Sequence, residues 1–316
     1  MTLITTFKVG TMRCHALEAG RQRLDGGAMF GVVPKPLWAE RIQPDELNRI
    51  PLALRCLLVE HDAGLVLIDT GIGNKQTEKF RGIYGVENTG AVGPTQLEDA
   101  LREAGVEREE VRWVVNTHLH FDHAGGNTSV EREGGSVAAH RARSSHQDSR
   151  AGGAQEIRLS FPNATYVVQR GELEFALNRN ERTAASYLAP NFDPVTAAER
   201  WRLVDGQAEV LPGIELIPTP GHVPHHQSVL ITQGGETLCF MGDLVPTAAH
   251  TPLPWIMGYD LEPMVTLESK RALLAKAESE GWTVLFEHDP EVVLGKVERD
   301  SKSFACKVLD TVPGPT

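Results

Sequence analysis

Short hydrophobic runs recur along the chain and predict a protein rich in β-strands. Residues 54–60 and 65–69 form two such runs, and the polar loop between them ends in Gly64, which is the pattern of a β-hairpin. Further β-prone runs cover residues 111–116, 164–168, 214–217, 228–232, 237–241 and 283–286. The opening of the chain lacks this regularity, so we predict short strands there and a loop segment over about 14–50.

Helical patterns alternate with these runs. Residues 95–104 carry apolar side chains at positions 97, 100, 101 and 104, which is the spacing of an amphipathic helix. Thr95 can cap the start of this helix and Gly105 can end it. The other predicted helices are 169–177 and 263–280, with an irregular or helical lid over 178–200. This alternation predicts sheets that are covered by helices on their outer faces.

Composition and charge narrow the class of protein. Of the 316 residues, 41% are hydrophobic and 23% are charged, as in an ordinary globular protein, and we expect one domain over 1–316. Residues 128–160 are polar and rich in Gly, Ser and Arg, which favours a surface excursion. With 31 Lys and Arg residues against 42 Asp and Glu residues, the net charge is -11. That charge disfavours a nucleic-acid partner and an anionic membrane surface.

Two further features bear on where the protein works. No apolar run approaches the roughly 18 residues of a membrane helix, and the first ten residues lack the pattern of a signal peptide. The four cysteines, Cys14, Cys56, Cys239 and Cys306, form no C-x-x-C pair. We therefore expect a reducing, cytoplasmic location, and metal binding by cysteine is disfavoured.

The strongest chemical motif directly follows the predicted strand 111–116. Residues 116–123 read Asn-Thr-His-Leu-His-Phe-Asp-His. Because residues two apart in extended chain point to the same side, His118 and His120 project together, and Asp122 and His123 come where the chain turns. Imidazole and carboxylate groups bind zinc and related divalent cations. The motif therefore predicts a metal site.

Three more candidate ligands stand at the ends of other predicted strands. His222 follows the strand 214–217, Asp243 follows 237–241, and His288 follows 283–286. Each is unremarkable alone. Together with the first motif they supply five histidines and two aspartates, which is enough for two cations with room for water.

These motifs together resemble the metallo-β-lactamase superfamily. The matching pieces, in the family's order, are Asp69-Thr70-Gly71, His118-x-His120-x-Asp122-His123, Gly221-His222, Gly242-Asp243 and His288. The resemblance implies an α/β fold, the αββα sandwich, in which two mixed β-sheets are flanked by helices. It also implies a dinuclear metal site at one edge of the sandwich.

The resemblance assigns a role to each of these residues. Metal 1 would be held by His118, His120 and His222. Metal 2 would be held by Asp122, His123 and His288, and Asp243 would bridge the two cations. Asp69 and His226 would lie behind the ligands and orient them. Zinc suits these ligand types best, although cobalt, manganese, nickel and iron also fit.

Comparison with branches of the superfamily reduces the number of candidate activities. His120 disfavours the flavo-diiron branch, which has a carboxylate there, and Asp243 disfavours true β-lactamases, which lack a bridging aspartate. The chain has no basic C-terminal cluster like that of glyoxalase II-like enzymes, and its acidity disfavours the nuclease branches. Residues 24–38, 117–126, 161–164 and 243–250 are similar to quorum-quenching N-acyl-homoserine lactonases and, more distantly, to methyl parathion hydrolase.

This resemblance implies a hydrolase that opens the ring of a small-molecule lactone. Hydroxide shared by two cations would attack the carbonyl, since paired cations lower the pKa of water to about 7, and Asp122 would pass a proton to the leaving oxygen. Asp122 and Asp243 are thus the expected catalytic residues. A phosphotriesterase or aryl esterase on the same metals is the alternative, and a non-catalytic metal-binding protein is a third possibility.

The substrate wall is the least specific part of the prediction. The candidates for an apolar wall around the acyl chain are Met29, Phe30, Leu37, Trp38, Phe192, Trp255 and His250, with core packing or dimer contacts as the alternative role. The resemblance also implies that the N-terminal segment packs across a homodimer.

Two positions depart from the family. Some lactonases of this fold have a tyrosine near the substrate carbonyl where this chain has Pro246, and Tyr84, Tyr187 or His250 could replace that phenol. His225 stands where the family has a glycine, so the turn there must accept a side chain.

Overall fold

A computed structural model of the chain describes residues 2–130, 156–300 and 303–312. Most of the excursion predicted over 128–160 therefore lies outside the described residues.

The first of two large sheets has seven strands in the order β1-β2-β3-β4-β5-β8-β9. Their bounds are β1 Ile4–Val9, β2 Met12–Asp25, β3 Arg49–Glu60, β4 Leu65–Ile68, β5 Val111–Val115, β8 Thr165–Gln169 and β9 Trp201–Val204. The strands from β1 to β4 pair antiparallel, and β4, β5, β8 and β9 pair parallel. The short strands β6 (Thr128–Val130) and β7 (Ile157–Leu159) form a separate antiparallel pair.

The second large sheet also has seven strands, in sequence order from β10 to β16. Their bounds are β10 Ala208–Leu211, β11 Ile214–Pro218, β12 Gln227–Gln233, β13 Glu236–Phe240, β14 Thr283–Leu285, β15 Val292–Arg299 and β16 Phe304–Thr311. Neighbouring strands are antiparallel except for the parallel pair β13 and β14. Both sheets are therefore mixed.

Seven α-helices accompany the sheets in the described part of the chain. They are α1 Gly26–Phe30, α2 Lys35–Trp38, α3 Glu78–Tyr84, α4 Gln96–Glu103, α5 Arg170–Leu177, α6 Asp193–Ala197 and α7 Pro263–Ser279. The side chain of Thr95 accepts a hydrogen bond from the Glu98 backbone N–H and so caps α4, as the sequence predicts. Among the described residues, no helix has both the length and the apolar character needed to cross a membrane.

The alternation of side chains along each strand produces the layers. Leu57 and Ile68 of the first sheet pack with Val229 and Phe240 of the second in one core between the sheets. Leu58, the neighbour of Leu57, instead packs on the outer face with residues of α4. Residues of α7 cover the outer face of the second sheet in the same way. The predicted αββα sandwich is confirmed.

The predicted loop segment over 14–50 is wrong for residues 14–25, which belong to β2. β2 is a 14-residue strand whose residues are mostly buried, and only the stretch after it contains short helices and turns. The strand escapes sequence analysis because its buried residues include polar ones. Glu18 is held by Arg55 at 2.6 Å, and Gln22 by Asp122 at 2.5 Å, so no simple hydrophobic pattern marks the strand.

Candidate metal centre

The structure brings the seven predicted ligands together at one edge of the sandwich. They lie just beyond the carboxyl ends of β5, β11, β13 and β14. The ligand atoms of His118, His120, His222 and Asp243 all lie within 4.8 Å of one another, as do those of a second group, Asp122, His123 and His288. The two groups correspond to the two metal positions that the sequence predicts.

Asp243 stands between the two groups. Its Oδ2 lies 3.0 Å from His222 Nε2, 3.4 Å from His123 Nε2 and 3.9 Å from His118 Nε2. Its Oδ1 lies 3.2 Å from His288 Nε2. One carboxylate thus faces ring nitrogens of both groups, which is the position expected of a bridging ligand.

The donor atoms have the character of a cation site. His118 Nε2 is buried without a hydrogen-bond partner among the described residues. His222 Nε2 lies 3.1 Å from His120 Nδ1, and His288 Nε2 lies 3.2 Å from His123 Nε2. A buried polar atom costs free energy unless a hydrogen-bond partner or a cation satisfies it. Divalent cations bound by imidazole and carboxylate groups fit this set.

The histidine ligands have pKa values far from the ordinary value of histidine. Burial, and then the positive charge of neighbouring histidines, holds the pKa of His118 and of His120 well below the ordinary value. Burial also opposes charge on His222 and His288, but the Asp243 carboxylate raises their pKa to about 10 and about 9. His118 and His120 are therefore neutral, which is the form that binds a cation, whereas His222 and His288 would have to release a proton to do so.

Asp69 organises the ligand loop from behind. Its carboxylate accepts hydrogen bonds from the Thr117 backbone N–H at 2.8 Å and from the Thr117 hydroxyl at 2.6 Å. His123 Nδ1 lies 3.0 Å from the same carboxylate. Asp69 itself adopts a left-handed backbone with φ of 54°, which aspartate tolerates better than most residues. The fully buried carboxylate thus orients a ligand and its loop.

His226 holds the backbone of the bridging residue. Its Nδ1 lies 2.8 Å from the Thr219 hydroxyl, and its Nε2 accepts a hydrogen bond from the Asp243 backbone N–H at 3.1 Å. Burial lowers the pKa of His226 to about 3, so the ring is neutral and can accept this bond. The structure therefore places Asp69 and His226 in the orienting positions that the resemblance implies.

Several polar partners of the ligands were not identified from the sequence. Asp260 Oδ1 lies 2.9 Å from His222 Nδ1, and the Gln22 amide donates to Asp122 Oδ2 at 2.5 Å. Glu287 Oε1 lies 3.1 Å from His123 Nδ1. Of these three residues, only Glu287 could have been found from the sequence, because it directly precedes the predicted ligand His288 at the end of β14. Asp260 and Gln22 are distant in sequence from the ligands that they contact.

A cavity of about 210 Å³ opens above the cluster. Its floor includes the ligands His120, Asp122, His222, Asp243 and His288. The other lining residues are Leu24, Met29, Leu52, Tyr84, Phe121, Arg182, Thr183, Ala185, Ser186, Met257, Tyr259 and Leu261. The walls are thus mainly apolar, whereas the floor is polar.

The predicted apolar wall needs correction, because only Met29 of its seven residues lines the cavity. Phe30, Trp38 and Phe192 are buried in hydrophobic clusters, Trp255 packs against Phe30, and Leu37 is exposed on the surface. Large apolar side chains on short helices are buried by packing on one another, so composition alone did not show which of them face the cavity.

The three residues predicted as replacements for the missing phenol differ in whether they line the cavity. His250 Nε2 lies 2.8 Å from the Met29 carbonyl oxygen, and Tyr187 donates its hydroxyl to Glu172 at 2.8 Å. Both side chains are buried and engaged with the protein. Tyr84 does line the cavity, and so does Tyr259, which the sequence did not single out.

His225 is accommodated without a left-handed backbone. It is absent from the described non-glycine residues with positive φ, and its ring packs against Gly171, where a Cβ atom would overlap it. The turn therefore accepts the side chain because the neighbouring helix offers a glycine.

Comparison with known proteins places the chain in a family. The Metallo-beta-lactamase superfamily matches residues 50–147 and 150–288. The N-acyl homoserine lactonase AiiA of Bacillus thuringiensis subsp. kurstaki is 29% identical, over 88% of this chain and 94% of the relative. The N-acyl homoserine lactonase AttM of Agrobacterium fabrum is 26% identical, over 74% of this chain and 81% of the relative.

Solved structures agree on the architecture. A structure described as a probable metal-dependent hydrolase from Staphylococcus aureus has a TM-score of 0.80 at 28% identity, covering 97% of this chain and all of that one. AidC, described as a dizinc quorum-quenching lactonase, has a TM-score of 0.75 at 19% identity and covers 98% of each chain. With the assembled ligand cluster, these matches show that the chain belongs to the metallo-β-lactamase superfamily and is a metal-dependent hydrolase.

Proposed function

We propose that this protein opens the lactone ring of N-acyl-homoserine lactones. The observation that carries the proposal is the division of the cavity into a floor of His and Asp ligands and walls of Leu24, Met29, Leu52, Met257 and Leu261. An N-acyl-homoserine lactone has the same division, because a polar ring joins an apolar chain. The names of the curated relatives point in the same direction.

The ligand groups define what each residue would hold. One cation would take His118, His120 and His222, the other would take Asp122, His123 and His288, and Asp243 would contact both. When bound, the two cations would polarise the lactone carbonyl and lower the pKa of water to about 7. We propose zinc, because five of the seven ligands are imidazoles, and metal analysis of protein purified without added metal tests that choice.

In this proposal, Asp122 moves the proton. Water adds to the carbonyl carbon, the bond from that carbon to the ring oxygen breaks, and one proton must reach the ring oxygen. Asp122 is at the floor of the cavity, and Gln22 donates a hydrogen bond to its Oδ2 at 2.5 Å. That bond orients the carboxylate so that it can take the proton from water and deliver it to the leaving oxygen.

Tyr84 and Tyr259 are the candidates for holding the substrate carbonyl groups. Both side chains line the cavity. Burial, followed by the negative charge of nearby carboxylates, raises the pKa of Tyr259 to about 12, and burial together with Asp122 raises that of Tyr84. Both phenols therefore keep their protons at neutral pH and can donate hydrogen bonds to a carbonyl oxygen.

The test is ring opening of N-acyl-homoserine lactones, followed by acid release at pH 7 to 8. We expect metal-loaded protein to open them, metal-free protein to be inactive, and the rate to rise with acyl length as the walls are filled. Protein that holds two cations but opens no lactone would contradict the proposal. Turnover of aryl phosphotriesters by that protein would then favour the phosphotriesterase alternative.

A further inference from the structure

The turn that carries the ligand His288 connects β14 to β15 and packs against β3 of the other sheet. The Ala53 backbone N–H donates to the His288 carbonyl at 3.1 Å, and the Ala53 carbonyl oxygen lies 2.8 Å from His288 Nδ1. The Arg55 backbone N–H donates to the Glu287 carbonyl at 3.2 Å. The position of His288 on the metal floor therefore depends on how this turn is held against β3.

The Arg55 side chain binds the same turn on both sides of His288. Its Nη1 donates to the Phe286 carbonyl at 2.5 Å, and Nη1 and Nη2 each lie 3.2 Å from the Asp289 carbonyl oxygen. Nη1 also lies 3.4 Å from the Val292 carbonyl oxygen. A guanidinium group can serve several acceptors at once because its N–H donors have a fixed planar arrangement. One side chain thus holds the backbone before and after the ligand.

Arg55 is itself fixed in place by a partner on the neighbouring strand. Its side chain is fully buried, and its Nε donates to Glu18 Oε1 of β2 at 2.6 Å. A buried charge is costly unless it is paired and hydrogen-bonded, and the carboxylate and the carbonyls of the turn meet that need. Apolar side chains of similar volume are often at least as stabilising as a buried ion pair. Stability alone therefore does not explain this pair.

The contacts of Arg55 concern one of the two ligand groups. Among the described residues, the hydrogen bonds of its side chain go to Glu18 and to the turn around His288. His222 of the other group is held separately, since its Nδ1 lies 2.9 Å from Asp260 Oδ1. A change at Arg55 should therefore act on His288 and leave His222 in place.

We propose that Arg55, paired with Glu18, is a positioning residue for the cation held by Asp122, His123 and His288. It acts through the turn that carries His288. This inference rests on the assignment of these three ligands to one cation under the proposed function. A ligand that is already held in its binding geometry binds more tightly, because less order has to be imposed when the cation arrives. Without the guanidinium group, buried carbonyl oxygens of the turn lose their donor, and the turn must shift to satisfy them.

The test follows the rings of His288 and His222 separately through a zinc titration. Proton–nitrogen correlation NMR of histidine-labelled protein, at buffered free zinc concentrations, reports each ring. Glu18→Gln combined with Arg55→Met removes the guanidinium donors without leaving a buried carboxylate unpaired. In this double variant, half-saturation of His288 should need about 10- to 100-fold more free zinc than in wild type, the usual loss when a group that orients a ligand is removed. His222 should respond as in wild type.

Glu18→Gln alone is the matched control. Arg55 keeps its carbonyl contacts in this variant, and glutamine still offers an oxygen to Nε, so both rings should titrate as in wild type. Arg55→Lys should shift His288 by an intermediate amount and leave His222 unchanged, since one compact ammonium group replaces the planar fork. Arg55→Lys also supplies the measurement if the double variant does not fold.

The comparison of the two rings separates a positioning role from a general loss of structure. If His288 and His222 responded equally in the double variant and in Arg55→Lys, whether both shifted or neither did, the role of Arg55 would be overturned. Zinc that reached only one of the two rings in wild type would contradict the assignment of two cations, and this role with it. The readout needs no substrate, so failure to open a lactone would refute the proposed activity and leave the role of Arg55 unaffected.

Discussion

The floor and the mouth of the cavity are built in opposite ways. On the floor, His123, His222 and His288 each have a second ring nitrogen held by a buried oxygen, from Asp69, Asp260 and the Ala53 carbonyl respectively. At the mouth, which residues 24–31, 180–188 and 256–261 form, segments are joined by single contacts such as that of Arg182 to Gly258, and side chains such as Arg182 and Tyr259 are exposed. The buried hydrogen bonds therefore fix the ligand rings of the floor in position, whereas fewer contacts fix the side chains of the mouth.

The largest expected effect is on the floor. Asp243→Asn should lower kcat/KM by about 10³-fold, because the bridging carboxylate faces ligands of both metal groups. Steady-state rates and metal content of the same sample measure it. Asp205→Asn is the control, since Asp205 pairs with Arg170 in an exposed ion pair and should leave activity unchanged. Full activity of Asp243→Asn would remove the bridging role.

The second effect concerns the support beneath the floor. Glu172 accepts hydrogen bonds from the Leu119 backbone N–H at 2.9 Å and from Tyr187 at 2.8 Å, and burial raises its pKa from 4.5 to about 7. The protonated form is thus favoured in the folded state. The contribution of protonated Glu172 to the free energy of unfolding is therefore complete below pH 4.5 and is lost as the pH rises through 7. The total loss is about 3 kcal/mol.

Glu172→Gln should therefore match wild type at pH 4 and exceed it in free energy of unfolding at pH 8. Urea unfolding of both proteins at the two pH values measures this difference. Glu174→Gln, at an exposed position on the same helix, should follow wild type at both. If wild type and Glu172→Gln had the same free energy of unfolding at pH 8, the ionised Glu172 carboxyl group would not destabilise the fold.

The third effect concerns Asp260, which is distant in sequence from the ligand motif at residues 118–123. Asp260→Asn should weaken metal binding by about 10- to 100-fold, because the carboxylate orients His222 through a 2.9 Å contact. Competition with a chromophoric chelator gives the affinity. If Asp260→Asn bound metal as tightly as wild type, the orienting role would be refuted.

The smallest expected effect is at the mouth. Tyr259→Phe removes one hydroxyl from the cavity wall, and we expect kcat/KM to fall by about three- to tenfold through loss of one hydrogen bond in a partly exposed place. Metal content should not change. A loss as large as that of Asp243→Asn would mean that the mouth takes part in the reaction itself and would break the contrast with the floor.

The same contrast explains what the sequence could predict. His118, His120, Asp122 and His123 stand within six residues, so their spacing alone indicates a metal site. The αββα sandwich could be predicted because hydrophobic runs mark most of its strands and the motifs resemble a known family. β2 could not, since its buried polar residues pair with partners that are distant in sequence, such as Arg55 and Asp122.

The orienting and mouth residues depend on contacts between distant parts of the chain. Asp260 reaches His222 across 38 positions, and Gln22 reaches Asp122 across 100. Nothing in the local sequence distinguishes Arg182 or Tyr259 from other surface residues. Phe30 and Trp38 were assigned to the substrate wall for their size, yet mutual packing buries them in the core.

The most direct test of the account is a titration of metal-free protein with zinc, following N-acyl-homoserine lactone opening in the same samples. The account predicts that the rate rises with added zinc and reaches its plateau at two equivalents per chain, since there are two ligand groups and Asp243 of the first also faces His123 and His288 of the second. A plateau at one equivalent, or two bound equivalents with no ring opening, would contradict it.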